Sequence, residues 1–228
     1  KALADLGPSP FLAAADAAMA QAIAGFPNAA AMLPALSIAR RAIRGAQEDI
    51  APEHAHRLAR KLEELDAATA IAAGIEIYAS VSTASVAPGG SVDLIVEVEP
   101  GEARNIRVTP VASKDFLPSG QVEMSGNRIA IPMTARAEAP IGNAFRPDWL
   151  SLGGNGTVSV RVEAEVNDET IVFHRDTEED LHLAPPYTVA ITPDALILPL
   201  STPVTKTTAI KADVGLERIT IPSDLSLI

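Results

Sequence analysis

The sequence predicts an α+β protein by segments, in which an Ala-rich helical N-terminal part is followed by an all-β immunoglobulin-like sandwich and further strands. Apolar residues recur at helical spacing before Gly74 and alternate at strand spacing after it. About seven short strands then fit into roughly 100 residues, which is typical of such a sandwich. We therefore predict a helical segment at 1–74, an immunoglobulin-like β-sandwich at 75–184 and a partial second β-unit at 185–228.

The first two helices are defined by prolines, glycines and a cap. Pro10 suits the first turn of a helix over 11–24, which the segment Gly25–Pro27 ends. Asn28 is predicted to cap a second helix that runs to about Ala46, and Pro34 should either kink this helix or mark its true first turn.

The third helix is predicted over 52–73, with Gly74 as the residue that ends it. Its large apolar side chains are predicted to form one stripe, made of Leu58, Leu62, Leu65 and Ile71. A thin Ala-rich neighbour cannot cover such a stripe, so we expect this helix to dock on the sandwich through it.

The strands are predicted from alternation and turn residues. The sandwich strands are placed at 75–81, 92–98, 106–111, 120–124, 127–133, 158–164 and 171–173. A hairpin is expected around Ser125–Gly126, and a turn at Asn167–Asp168. After the stiff break at Pro185–Pro186, further strands are predicted at 187–191, 195–200, 207–212 and 218–221.

Charge is concentrated in the β-rich part. Residues 1–74 hold 7 of the 18 Lys and Arg residues and 8 of the 29 Asp and Glu residues, so 11 basic and 21 acidic residues follow. The segment after residue 74 therefore carries −10 of the net charge of −11. This acidic surface argues against nucleic acid and anionic membranes as partners. No apolar run approaches the roughly 18 residues of a membrane span, which predicts a soluble chain.

Reactive side chains are sparse and scattered. There is no cysteine, which excludes thiolate chemistry, and no Gly-x-Ser-x-Gly motif. His54 and His56 would point to different sides of a helix, so they cannot share a metal ion. We predict no catalytic, cofactor-binding or metal-binding residues.

Two polar segments are candidate ligand sites. Residues 176–180, together with His174, could bind Ca²⁺ or form an exposed acidic turn, and the turn is the preferred interpretation. The glycine-rich segment 153–156 lacks the lysine and helix of a phosphate loop and is predicted to be an ordinary loop.

Trp149 is the single tryptophan, and two roles are open to it. We expect its ring to be at least half buried, at the end of the sandwich or against residues 185–200. The alternative is a carbohydrate-stacking platform, which would need Trp149, Tyr187 or Tyr78 exposed on one face.

A family resemblance rests on four short segments. They are Leu58-Ala-Arg-Lys-Leu-Glu-Glu-Leu65 running into Ala72-Ala-Gly-Ile75, Val86-Ala-Pro-Gly-Gly-Ser-Val92, Arg146-Pro-Asp-Trp-Leu150 and Pro185-Pro-Tyr-Thr-Val-Ala-Ile-Thr-Pro193. In this order they resemble the non-catalytic, NEW3-like region downstream of the deacetylase domain in large bacterial proteins of the PIG-L/LmbE-like family.

The resemblance implies an accessory module of a secreted or periplasmic enzyme, whose partners are adjacent domains of the same polypeptide. The family's zinc-dependent deacetylase domain carries a His-Pro-Asp-Asp motif, and none of the four histidines here is followed by proline. No catalytic residue is therefore carried over to this chain. A carbohydrate-binding module with a glycan partner, and a structural or adhesive spacer of a surface protein, are the alternative functions.

Overall fold

The computed structural model describes residues 3–7, 9–142, 150–185, 188–192 and 209–213, the last two ranges as backbone alone. Within these ranges the helices come first along the chain and mainly antiparallel sheets follow. This order confirms the α+β class predicted from the change of period near Gly74.

The N-terminal part contains α1 (Pro10–Gly25), α2 (Ala29–Ala46) and α3 (Ala55–Ala72). Short 3-10 turns precede α1 and α3, at Leu3–Leu6 and Pro52–His54. The predicted helices agree closely with these bounds. Pro34 lies inside α2 and not in its first turn, so the second of the two alternatives for that proline is wrong.

The end of α3 is fixed by backbone hydrogen bonds. Gly74 has a φ of +69°, its N–H donates to Ile71 O at 3.0 Å, and the N–H of Ile75 donates to Ala70 O at 3.0 Å. This pair of bonds is the Schellman motif, in which a glycine at positive φ lets the chain leave the helix. The first strand therefore begins directly after α3.

The strands are numbered in chain order. They are β1 (Glu76–Val81), β2 (Ser85–Val86), β3 (Ser91–Glu99), β4 (Arg104–Ala112), β5 (Phe116–Pro118), β6 (Glu123–Ser125), β7 (Arg128–Ala135), β8 (Val158–Val166), β9 (Glu169–Asp176), β10 (His182–Leu183), β11 (Thr188–Thr192) and β12 (Ala209–Asp213).

These strands form two main antiparallel sheets. One has the order β1-β3-β7-β5, with β6 also paired to β7, and the other has the order β4-β8-β9. In addition, β2 and β10 form a short parallel pair, and β11 pairs with β12. The hairpin predicted around Ser125–Gly126 joins β6 to β7, and the turn at Asn167–Asp168 joins β8 to β9 with both residues at positive φ.

The predicted and the observed strands differ in several places. The short strands β2, β5 and β10 were not predicted, and β6 begins at Glu123 instead of residue 120. The predicted strands at 195–200 and 218–221 lie outside the described residues. The division at 184 and 185 stays a prediction.

The two main sheets share one apolar core. Alternate residues of β8 (Val158, Val160, Val162, Ala164) are buried together with Leu94 of β3 and Ile131 of β7. A second core lies among the helices, where Ala15, Leu36 and Ile43 pack with Leu58. Ala70 and Ala73, at the end of α3, belong to the core of the sheets, so α3 contributes to both.

The helical part docks on the β-rich part, but not through the predicted stripe. Leu58 and Leu65 are buried in the core of the helices, whereas Ile71 is 71% exposed. At 100° per residue, Ile71 lies about 140° around the helix from Leu58, so the two cannot share one face. The side of α3 that meets the sheet carries Asp66, Thr69 and Ala70.

Candidate functional site

The functional candidate is the junction between the helices and β9, an edge strand. Because β9 pairs only with β8 in its sheet, every second backbone group of β9 points away from its neighbour. Thr170 O accepts hydrogen bonds from Arg40 Nη2 at 2.7 Å and Arg44 Nη2 at 3.1 Å. The N–H of Val172 donates to Asp66 Oδ2 at 3.0 Å. Side chains of α2 and α3 therefore take the place of a further strand.

Arg40 is the centre of this junction. Its side chain is 0% exposed, its Nε donates to Asp66 Oδ1 at 2.5 Å, and its Nη1 donates to Glu169 Oε2 at 2.7 Å. With Thr170 O as the third acceptor, one guanidinium contacts α3 and β9 from α2. Burying an arginine is tolerable only when its charge and its N–H groups are matched in this way.

The two carboxylates of the junction are also engaged. Asp66 uses Oδ1 for Arg40 and Oδ2 for the backbone of Val172. Glu169 Oε2 accepts from Arg40, whereas its buried Oε1 has no hydrogen bond among the described residues and forms an ion pair at 3.3 Å with Nε of Arg41, whose side chain is 67% exposed. The junction is therefore a bonded network that reaches from the core to the surface.

The sequence patterns did not reveal this network. Arg40 and Arg44 are four residues apart on one helix face, and Asp66 is the single charged residue between Leu65 and Ile75. A lone carboxylate in such an apolar stretch was the one local signal of a buried ionic contact. Its partner Arg40 is 26 residues away and Glu169 is a further 103 residues along the chain, beyond the reach of local periodicity.

The other half of the β9 edge is covered by the loop predicted at 153–156. Asp176 Oδ1 accepts the N–H groups of Gly154 and Asn155, both at 2.7 Å, and its Oδ2 accepts from Asn155 Nδ2 at 2.8 Å. A Cβ at Gly153, which has a φ of +88°, would lie 2.9 Å from His174 O. The loop therefore approaches the strand as closely as only glycine allows.

This contact gives Asp176 a structural role. In the Ca²⁺ interpretation of 176–180 its carboxylate would have been a ligand, but it holds the loop instead. The part of the chain that the structure describes contains no group of three or more His, Asp or Glu residues placed to hold a metal ion.

A cleft of about 490 Å³ lies between α3 and the glycine-rich loop, the two elements that cover the β9 edge, and residues 172–174 of β9 also line it. One wall is α3, with Leu62, and the other is the loop, with Leu152. Arg60 of α3 donates a hydrogen bond to Ser151 Oγ, which ties the two walls together. This volume is in the range of small-molecule sites.

Of the three aromatic residues predicted to contact carbohydrate, only Tyr78 lies among the described residues. Trp149 and Tyr187 lie outside the described residues, so their predicted roles stay predictions. Tyr78 is exposed on β1, apart from the cleft, and its hydroxyl donates to Glu76 Oε2 at 2.6 Å. This hydrogen bond, together with the negative charge of Glu76, raises the pKa of Tyr78 above 10.0.

His54 and His56 lie together at the start of α3, and the other two histidines lie elsewhere in the fold. His54 ends a 3-10 turn, His56 is in the first turn of α3, His182 is in β10 and His174 lines the cleft.

Among the described residues, no helix has the length and apolar character needed to cross a bilayer. Compared with protein-family models and with curated proteins, the chain matches none.

Proposed function

We propose that this chain is a non-catalytic accessory module that braces or orients a neighbouring deacetylase domain of the PIG-L/LmbE-like kind. The observation that carries the proposal is the burial of Arg40, which joins α2, α3 and β9 through three bonded partners. A junction of this kind fixes the direction in which the helices leave the sheets. Fixed direction is the property that a brace requires.

We further propose that the β-rich part is an immunoglobulin-like sandwich. In chain order, the strands β1, β3, β4, β5, β7, β8 and β9 can be assigned the letters A to G. The sheet orders β1-β3-β7-β5 and β4-β8-β9 then become A-B-E-D and C-F-G. These are the two sheets of the constant-type immunoglobulin topology. This agreement of strand order supports the proposal, and the core shared by both sheets supports it independently.

The location of the junction also favours bracing. In this assignment β9 is strand G, the edge strand that the helices cover. A second contact lies at the end of α3, where the N–H of Glu102 donates to Ala73 O at 2.8 Å. Two separate contacts resist rotation of the helices better than one contact does.

The test begins with the full-length open reading frame that contains this sequence. The proposal requires a domain with a His-Pro-Asp-Asp motif in the same polypeptide. In that polypeptide, Arg40→Met should lower the temperature at which deacetylase activity is lost, whereas Arg57→Met, at an exposed position of α3, should not.

Two outcomes would overturn the proposal. The first is an open reading frame without a deacetylase domain, which removes the partner. The second is equal heat inactivation of the two variants and the parent protein, with Arg40→Met shown by small-angle scattering to loosen the junction. In that case the module does not influence the enzyme, and a spacer would be the better account of the module's function.

A further inference from the structure

The cleft at the junction combines apolar walls with guanidinium groups. Its walls include Leu62 of α3, Val111 of β4 and Leu152 of the loop, and three arginines line it as well: Arg44, Arg60 and Arg161. Apolar walls with a few convergent polar groups are the usual composition of a small-molecule site. The arginines determine which charge such a molecule should carry.

The carboxylates that line the cleft, Asp66 and Glu63, pair with neither Arg44 nor Arg161. Asp66 has both oxygens engaged, by Arg40 and by the backbone of Val172. Glu63 lies 3.5 Å from Arg60, which also bonds Ser151. Arg44 Nη1 lies 4.0 Å from Glu169 Oε2 and Arg161 Nη1 lies 2.6 Å from Glu163 Oε1, but neither of these carboxylates lines the cleft.

Of these two arginines, Arg161 is the better placed to bind an anion in the cleft. Among the described residues its one acceptor is Glu163 Oε1, reached by Nη1 at 2.6 Å, and Glu163 is not part of the cleft lining. A guanidinium carries five N–H donors, so further donors remain for an anion in the cleft. Its side chain is 37% exposed and lines the cleft, so a ligand there can reach it.

We propose that this cleft binds a small carboxylate with an apolar body. The apolar part would lie against Leu62 and Leu152, and the carboxylate would accept hydrogen bonds from Arg161 and Arg44. The net charge of −11 opposes an approaching anion. At physiological ionic strength, however, charges more than about 8 Å away are largely screened, so the nearby arginines decide the binding. This inference does not rest on the bracing function.

The test uses octanoate as the probe, with octanamide as its neutral counterpart and acetate as the carboxylate without a long apolar body. Titration calorimetry on the whole chain should give octanoate an affinity at least about tenfold higher than that of octanamide, the usual value of a charge-assisted hydrogen bond. Acetate should bind at least about tenfold more weakly than octanoate, because it buries far fewer methylene groups.

A matched pair of variants locates the site. Arg161 and Arg107 both lie near Glu163, at 2.6 and 3.7 Å, but only Arg161 lines the cleft. Arg161→Gln should weaken octanoate binding about tenfold. Arg107→Gln should change it by less than about twofold, as expected for an exposed residue outside the site.

Equal affinities for octanoate and octanamide would overturn the proposal, and so would an equal loss of binding in the two variants. Unfolding curves for both variants accompany the titrations. If Arg161→Gln proves unfolded, Leu152→Asn provides the second measurement, since it should weaken octanoate binding but leave the weak acetate binding unchanged. Octanoate binding unchanged by Leu152→Asn would also count against the proposed site.

Discussion

The two edges of the three-stranded sheet β4-β8-β9 are protected by different means. On the β9 edge, side chains of α2 and α3 bond the outward backbone groups of Thr170 and Val172, and the glycine-rich loop lies against His174. The β4 edge pairs only with β8 within its sheet. It carries a proline, Pro110, and a register shift between Arg104 and Arg107. Covering an edge allows it to hold other elements in place, whereas a proline and an irregularity only discourage pairing.

Both features on which our proposals rest lie at the covered edge. The covered edge contains the buried ion network and the cleft, and both depend on residues far apart in the sequence. The uncovered edge borders a larger groove of about 940 Å³, in which Val122 and Met124 are exposed. Nothing in the described residues assigns an occupant to that groove. The predictions below test the two edges, from the largest expected effect to the smallest.

The largest effect is expected for Arg40→Met. This change leaves Asp66 and Glu169 with buried oxygens that lack their cation, and breaking a buried ion network on one side costs about 3–5 kcal/mol. Urea unfolding followed by circular dichroism would measure the loss. Arg41→Met is the matched control, because Arg41 pairs with the same Glu169 from an exposed position; it should cost less than about 1 kcal/mol. Similar losses in the two variants would show that burial of Arg40 adds no stability to the β9 edge.

A smaller effect is expected for Gly153→Ala, which tests the loop that covers the rest of β9. The new Cβ would lie 2.9 Å from His174 O, at a residue with a φ of +88°. We expect a loss of about 2–3 kcal/mol, the sum of backbone strain and displacement of the loop. Gly126→Ala has a similar positive φ of +63° but no atom within 4 Å of the new Cβ. It should cost only about 1–2 kcal/mol. Equal losses would mean that the close approach of the loop to β9 is not restrictive.

The features that were predicted correctly from the sequence are those that short-range interactions determine. Helix ends follow from Pro10, Gly25 and Gly74, and the two hairpins follow from turn residues at positive φ. The strands β2 and β5 have two and three residues, which is too short to show an alternation, and unlike β6 they do not adjoin a predicted hairpin turn.

The site was not predicted, for a related physical reason. Its bonds join residues 26 to 130 positions apart, and no local pattern encodes such distances. Ile71 was wrongly assigned to the apolar stripe, because its spacing from Leu58 puts the two side chains on different faces of the helix. The residues that meet the sheet are small or charged, and a search for large apolar side chains passes over them.

The smallest effect on stability, but a distinct one on association, is expected for Pro110→Val. The N–H of Ser113 donates to Thr157 O at 2.8 Å, and backbone groups in an antiparallel pair alternate between the two sides of a strand. The backbone N–H and C=O of Val111, two residues earlier, therefore point toward β8, and the backbone of Pro110 points toward the free edge. Because proline has no N–H, the β4 edge lacks a donor at its middle.

Valine at this position supplies the missing donor and favours the strand conformation. We expect the free energy of unfolding to change by less than about 0.5 kcal/mol, since no packed side chain is lost. Self-association in sedimentation velocity should nevertheless increase with protein concentration, because two β4 edges could then pair. Thr109→Val controls for the added apolar surface, since Thr109 is exposed and its backbone faces β8. If the two variants associate equally, apolar surface and not the missing donor limits pairing, and Pro110 does not protect this edge.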